Sequence, residues 1–342
     1  MKFHSLLLFT SVICISAIGI ATQFKTPKHF PKPTYDFTKN PLTSNKILLG
    51  RMLFYDPILS RDSSISCTSC HSSFSAFTHI DHDLSHGIGD SMGKRNSSAL
   101  MNLAWQDKFM WDGAINHLDV QALAPIAHED EMGSSIQEVV KKLNRSKQYQ
   151  LLFEKAYGTS EITGEKTLKA IAQFMLTLVS ANAKYDSVML NKEAFTAQEL
   201  AGYNLFKANC ATCHAEPLFT THDFANNGLP VDTTLNDFGR IKITGSTLDS
   251  LLFKIPTLRN IEYSYPYMHD GRFKNLRQVL HHYTSGIQQS ATLHPALQKG
   301  IALSADEKTD LIAFLLTLSD KEFVFNPIHQ FPKEEFLKGA KD

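Results

Sequence analysis

The chain is short of cysteine, of net charge and of long apolar runs. Its 34 basic and 34 acidic residues cancel at pH 7. A neutral chain presents no field for a polyanion, so nucleic acid is not an expected partner. Cysteine occurs five times in 342 residues. Four of the five fall in two short motifs, and the fifth, Cys14, lies in the N-terminal apolar run. No pair is left over for a disulfide in the mature chain. Past that run, no stretch is long and apolar enough to span a bilayer. No segment shows the strong alternation of a half-buried strand. What remains is a mainly α chain, 43% hydrophobic, long enough for about two domains, each with its own core.

The first residues read as an export signal. Lys2 supplies the positive start, Leu6 to Ile20 the apolar run, and Gly19 and Ala21 the small residues of a cleavage site. We take 1–21 as a signal peptide, with an uncleaved membrane anchor as the alternative. A lipoprotein reading through Cys14 is weakened by bulky Ile13. Residues 22–43, rich in Pro, Lys and Thr, read as an extended surface segment or spacer.

Two pentapeptides carry the chemistry: Cys67-Thr-Ser-Cys70-His71 and Cys210-Ala-Thr-Cys213-His214. Each is C-x-x-C-H, the attachment signature of c-type haem. Two thiols at this spacing add to the two vinyl groups of one porphyrin, and the next His supplies the proximal nitrogen to iron. A redox dithiol or half a zinc site would not require His after the second Cys, twice. Two covalently bound haems c follow as cofactors, and their attachment agrees with export to the periplasm.

The surroundings of the two motifs repeat. Gly50-Arg-Met-Leu-Phe54 precedes the first and Gly202-Tyr-Asn-Leu-Phe206 the second. Ile171-Ala-Gln-Phe-Met-Leu-Thr-Leu178 closes one unit and Ile312-Ala-Phe-Leu-Leu-Thr-Leu318 the other. Ser44 is read as the cap of a first helix, and further helices are predicted over Ser135–Tyr157 and Lys166–Ser180 from apolar residues at helical spacing. Thr196-Ala-Gln-Glu199 and Ser304-Ala-Asp-Glu307 read as capping boxes. Loops are predicted over Ser72–Asn96 and roughly Ala215–Arg272. The fold expected is two tandem cytochrome c-like domains, 44–190 and 191–330, followed by a tail at 331–342.

Leu49-Gly-Arg-Met-Leu-Phe-Tyr-Asp56, Ser66 to His71, Arg95-Asn96, Trp111-Asp-Gly113, Gln121, Glu131-Met132, Pro256 to Asn260 and Pro266 to Gly271 form an ordered series. From Leu48 to Leu318 this series resembles the bacterial diheme cytochrome c peroxidases and their relative MauG. The resemblance implies that the N-terminal haem handles peroxide, with Gln121 and Glu131 in its distal pocket. A partly desolvated carboxylate can take a proton from one peroxide oxygen and return it to the other. The bland alternative puts Glu131 on a solvated acidic loop with Glu129 and Asp130. Trp111 matches the tryptophan between the haems, whereas Trp105 reads as core.

Asn96 matches a ligand of an interhaem calcium, with carbonyls from Ser264 and Pro266, an oxygen set that suits this ion. Arg259 and Asn260 are candidates for propionate or interdomain hydrogen bonds. His86 lies in the loop where some members carry a distal His for the first iron; His79 and His82 read as surface residues. Tyr283 stands where the peroxidases place a Met ligand to the second iron, and MauG has Tyr there. A one-residue shift would choose His282, and Met268 is a fallback. The function implied is reduction of hydrogen peroxide with electrons from a small redox protein such as cytochrome c, entering at the C-terminal haem. A MauG-like oxidase that uses peroxide to oxidise a protein side chain is the alternative. A non-catalytic diheme carrier is a third reading, opposed by Gln121 and Glu131. A homodimer is left open.

Overall fold

The computed structural model describes residues 21–339. The signal peptide read over 1–21 lies, apart from Ala21, outside the described residues. The longer helices are α1 (Ser44–Tyr55), α2 (Ile136–Leu143), α3 (Lys147–Tyr157), α4 (Gly164–Leu176), α5 (Lys184–Met189), α6 (Ala197–Asn209), α7 (Leu276–His281), α8 (Ala305–Leu316) and α9 (Lys333–Gly339). The sheet among the described residues is one antiparallel pair of two-residue strands, β1 (Phe224–Ala225) and β2 (Phe253–Lys254). The chain is thus mainly α, as its sequence pattern predicts.

Local chemistry sets the helix starts. Both predicted capping boxes form: Thr196 Oγ1 accepts from Glu199 N and Glu199 Oε2 from Thr196 N, with the same pair between Ser304 and Glu307. Two details differ from the sequence reading. Thr43, not Ser44, caps α1, its hydroxyl accepting from Lys46 N. The single helix expected over Ser135–Tyr157 is two, because Ser146 Oγ accepts from Tyr149 N and starts α3 afresh. A serine that can bond the backbone ahead of it favours such a restart over helix continuation.

The two units repeat in three dimensions. In each, a first and a last helix cross at a glycine. A Cβ on Gly50 of α1 would lie 1.8 Å from the Ala170 carbonyl of α4, and one on Gly202 of α6 would lie 1.9 Å from the Asp310 carbonyl of α8. The obstacle is backbone, which cannot swing aside. Gly202→Ala is therefore expected to cost about 1–3 kcal/mol through overpacking, read as a lower denaturant midpoint for the holoprotein. Beside each crossing sits a phenylalanine triad. Phe54, Phe77 and Phe174 have ring centroids 5.2–6.4 Å apart. Phe206, Phe219 and Phe314 span 5.1–6.3 Å.

The units are not separate bodies. Segment 22–43 turns back on itself, with Thr22 N donating to Leu42 O. It packs Phe30 and Leu42 into the first core, and Trp105 Nε1 donates to Pro31 O. At the C-terminal end, Phe323 and Val324 belong to the first core rather than the second. The stretch read as a tail continues that return: Arg51 Nε donates to Gln330 O, and the ring of Phe331 stacks on Phe336 of α9. Arg259, fully buried, donates both Nη atoms to Asp186 and its Nε to Pro217 O. Asn260 bonds Ser180 Oγ and accepts from Asp320 N. Of the two roles considered for this pair, both side chains take interdomain bonds.

Candidate haem sites and the junction between them

Each C-x-x-C-H motif is one tight turn. His71 N and Cys70 N both donate to Cys67 O, and His214 N and Cys213 N both donate to Cys210 O. The turn brings both thiols to one side and sets the His directly after them. The four thiols are free.

Both imidazoles are prepared for a metal. His71 Nδ1 lies 2.7 Å from Phe77 O, and His214 Nδ1 lies 3.2 Å from Phe219 O and 3.1 Å from Pro256 O. A carbonyl partner fixes the proton on Nδ1 and leaves the Nε2 lone pair for iron. Burial pushes both side chains down to a pKa of about 4, so each is neutral at pH 7. The carbonyls are aimed by unusual backbone: Phe77 and Phe219 have φ of 60° and 55°. For a residue with a Cβ, this left-handed conformation costs about 1–2 kcal/mol. The buried triads hold both phenylalanines there.

The residues fit the cofactor that the motifs imply. Cys210, Cys213 and His214 line a cleft with about 1850 Å³ of empty space, part of it open to solvent. Near the first motif, His79 is half-buried, and its Nε2 is buried with no hydrogen-bond partner among the described residues, an orphaned polar atom that a bound group could satisfy. His79 is thus less exposed than the surface histidine that the sequence reading takes it to be.

Around the first motif, Glu129 and Asp130 are exposed but Glu131 is half-buried. Glu131 lies close enough to Cys70 to raise that thiol's pKa, after the larger effect of burial. Burial raises the Glu131 carboxyl above its ordinary value; His128 opposes and Asp130 adds. Its main chain is pinned, with Ile88 N donating to Glu131 O. Gly87 is needed beneath it, since a Cβ there would lie 2.0 Å from Asp130 O. Gln121 closes a short helix, and its Nε2 lies 3.7 Å from Met110 Sδ. No hydrogen bond joins Gln121 to Glu131 among the described residues. His86 Nδ1 bonds Asp90 Oδ1 at 2.6 Å, with its ring 4.8 Å from that of His82.

Trp111 follows Met110 and is held at the junction of the two units. Its Nε1 donates to Asn96 O and its carbonyl accepts from Lys254 N. Arg95 clamps the same junction, bonding Asp112 of the first unit and Asp237 of the second. Arg240 reaches across to Asp112 O and lies over the Phe224 ring. Trp111, Asn96, Ser264 and Pro266 all line the cleft that holds Cys213 and His214. The sequence-predicted calcium residues and the junction tryptophan thus share one space with the second haem motif.

At the far side of the cleft, α7 runs into a single wide turn of π type at His282–Gly286, a distortion frequent at functional sites. There Tyr283 lines the cleft; burial pushes its phenol up to about 12, while Asn227 pulls the other way. His282 points elsewhere, its Nε2 bonded to Asn227 O. Met268 also lines the cleft, with its sulfur 3.4 Å from Asn227 Nδ2.

Sequence reasoning missed Lys254. This lysine lines the cleft, bonds Gln106 Oε1, and is brought down to about 8 by burial, Asp107 opposing. No motif flags it; a lone lysine in a loop-rich stretch carries no periodic signal.

The comparisons with known proteins agree with this geometry. The family profile described as di-haem cytochrome c peroxidase matches residues 44–194, and a cytochrome c profile matches 200–319. The methylamine utilization protein MauG of Methylorubrum extorquens is 37% identical over 88% of this chain and 84% of its own length. The cytochrome c551 peroxidase of Nitrosomonas europaea is 36% identical, covering 82% and 81%. A solved structure of a MauG-like protein associated with microbial copper homeostasis superposes with a TM-score of 0.83 at 30% identity, over 92% of this chain and all of that one. This chain belongs to the family of bacterial diheme cytochrome c peroxidases and MauG.

Proposed function

We propose that the protein reduces hydrogen peroxide to water at its N-terminal haem, with electrons from a small redox protein such as cytochrome c. The observation that carries this reading is Glu131: a pinned, desolvated carboxyl with a raised pKa beside the first haem motif. When bound, the haem supplies an iron to receive peroxide and to take up its oxidising equivalents. Glu131 holds the proton that must move between the peroxide oxygens, and burial raises its pKa, which favours its holding that proton. Gln121 offers an amide to orient the substrate. Trp111, fixed by Asn96 and Lys254, lies where electrons from the C-terminal unit must cross.

The remaining expectations join this proposal. The protein works in the periplasm, and Asn96, Ser264 and Pro266 hold a calcium ion at the junction. No helix among the described residues is long and apolar enough to cross a membrane. The test is steady-state loss of peroxide catalysed by the purified holoprotein with a reduced small cytochrome c, each peroxide taking two electrons and two protons. Full haem content with no peroxide consumption would remove the reading. A second reading, a MauG-like oxidase acting on a protein side chain, is favoured by one observation: Tyr283 lines the cleft of the second haem motif.

A further inference from the structure

Behind the second proximal histidine lies a pair of tyrosines that the site described above does not use. Tyr185 OH donates to Glu216 Oε1 at 2.6 Å, and Tyr203 OH donates to the same oxygen at 2.9 Å. The two rings are 6.5 Å apart. Tyr185 is buried, and its ring meets Phe219 edge-on at 4.7 Å. Phe219 carries the carbonyl that accepts from His214 Nδ1. Tyr203 stands nearer the surface on α6, half-buried. The order is therefore His214, Phe219, Tyr185, Glu216, Tyr203, solvent.

We propose that Tyr185 and Tyr203, joined through Glu216 Oε1, form a proton-coupled relay carrying oxidising equivalents from the C-terminal haem to the surface. The proposal rests on the peroxide reading for its oxidant, namely the oxidising equivalents left on the haems once peroxide is reduced. In the first step Tyr185 gives one electron to the oxidised haem and its phenolic proton to Glu216, leaving a neutral phenoxyl and a carboxylic acid. In the second, Tyr203 gives an electron to the Tyr185 phenoxyl and its proton to Glu216, while Glu216 returns the first proton to Tyr185. A soluble reductant or reduced redox protein then returns an electron to Tyr203, and the proton comes back from Glu216. One oxygen accepting from both phenols is the geometry that two-way hand-over needs.

The charges nearby select this chemistry. The Arg259 guanidinium lies 5.9 Å from the Tyr185 ring and the Lys207 ammonium 4.4 Å from the Tyr203 ring. Arg259 is paired with Asp186, so the opposing charge is mainly that of Lys207, which disfavours an oxidation that leaves a positive phenol. Loss of the electron together with the proton avoids that charge, and Glu216 is the acceptor in place. A structural role alone would need one tyrosine on Glu216, with its hydroxyl satisfied; it would not need a second at the surface.

The test is low-temperature electron paramagnetic resonance of the diferric holoprotein mixed with hydrogen peroxide, with haem absorbance followed in parallel. Tyr185→Phe and Tyr203→Phe keep ring packing, and Glu216→Gln keeps an acceptor oxygen but cannot hold the proton. The wild type should show a tyrosyl radical that a water-soluble reductant quenches. Tyr185→Phe and Glu216→Gln should lose most of it. Tyr203→Phe should retain a radical that the reductant quenches at least tenfold more slowly. Equal yield and equal quenching in all four proteins would overturn the relay. If peroxide leaves the haem absorbance unchanged, the peroxide reading has failed separately. In that case flash-generated ruthenium(III) polypyridyl serves as oxidant. A phenoxyl whose formation slows in deuterium oxide and is lost in Tyr203→Phe supports the relay. Identical traces in wild type and Tyr203→Phe overturn it.

Discussion

Glu131→Gln is expected to lower peroxide turnover about 10²–10⁴-fold, the range for loss of a positioned acid–base group, with both haems still attached. Glutamine keeps the volume and a hydrogen-bonding end, so the effect isolates proton transfer from packing. Burial raises the pKa of Glu131. The group is therefore ionised above that raised pKa and protonated below it. As a base it is lost when pH falls through a value above the usual carboxylate range of about 4. The wild-type acid limb of kcat/KM should lie there and should be absent in Glu131→Gln. Glu129→Gln and Asp130→Asn change exposed neighbours and should leave turnover unaltered. Near-normal turnover in Glu131→Gln would take Glu131 out of the mechanism. Equal losses in all three variants would point to the charge of the loop as a whole rather than to a proton held by Glu131.

Tyr283→Met is expected to raise the reduction potential of the C-terminal haem. A thioether ligand favours ferrous iron and a phenolate favours ferric. Burial opposes ionisation of the Tyr283 phenol and pushes it up to about 12. A ferric cation in the cleft would supply the charge that draws the proton off. With a phenolate bound, the haem is hard to fill with electrons but well suited to sharing the oxidising equivalents that peroxide leaves. That would turn the chain towards MauG-like chemistry. Met268 is the rival, since its sulfur reaches the same cleft and the same Asn227. Redox titrations of wild type, Tyr283→Met and Met268→Leu separate the two. A low wild-type potential, raised in the first variant and unmoved in the second, assigns Tyr283. A high wild-type potential that drops in Met268→Leu assigns Met268 and leaves the plain peroxidase reading.

The features legible in the sequence were those set by neighbours a few residues apart. A C-x-x-C-H turn, a capping box at Thr196 or Ser304, and the paired Gly50 and Gly202 segments each declare themselves locally. What stayed hidden depends on distant partners. The aim of His71 and His214 rests on left-handed backbone at Phe77 and Phe219, and phenylalanine gives no hint of that conformation. That Tyr283 lines the cleft while His282 is tied to Asn227 O depends on the π-type turn, which spacing along the chain does not announce. Glu131, unlike Glu129 or Asp130, is half-buried where Gly87 and Ile88 pack against its main chain. Spacing along the chain cannot report that contact. The return of Phe323 and Val324 to the first core was equally invisible, since any core would accept two such side chains.

That return has a consequence for how the protein is made. Phe323 packs on Phe77, and His329 lies against both rings, its Nδ1 on Phe323 O. Tyr55 OH donates to His329 O. Phe77 in turn carries the carbonyl that orients His71. Cys67, Cys70 and His71 are therefore synthesised long before the residues that brace them. The brace on the His71 carbonyl partner is complete only once Phe323 and His329 have been made, so the first haem site depends on the last part of the chain to be synthesised.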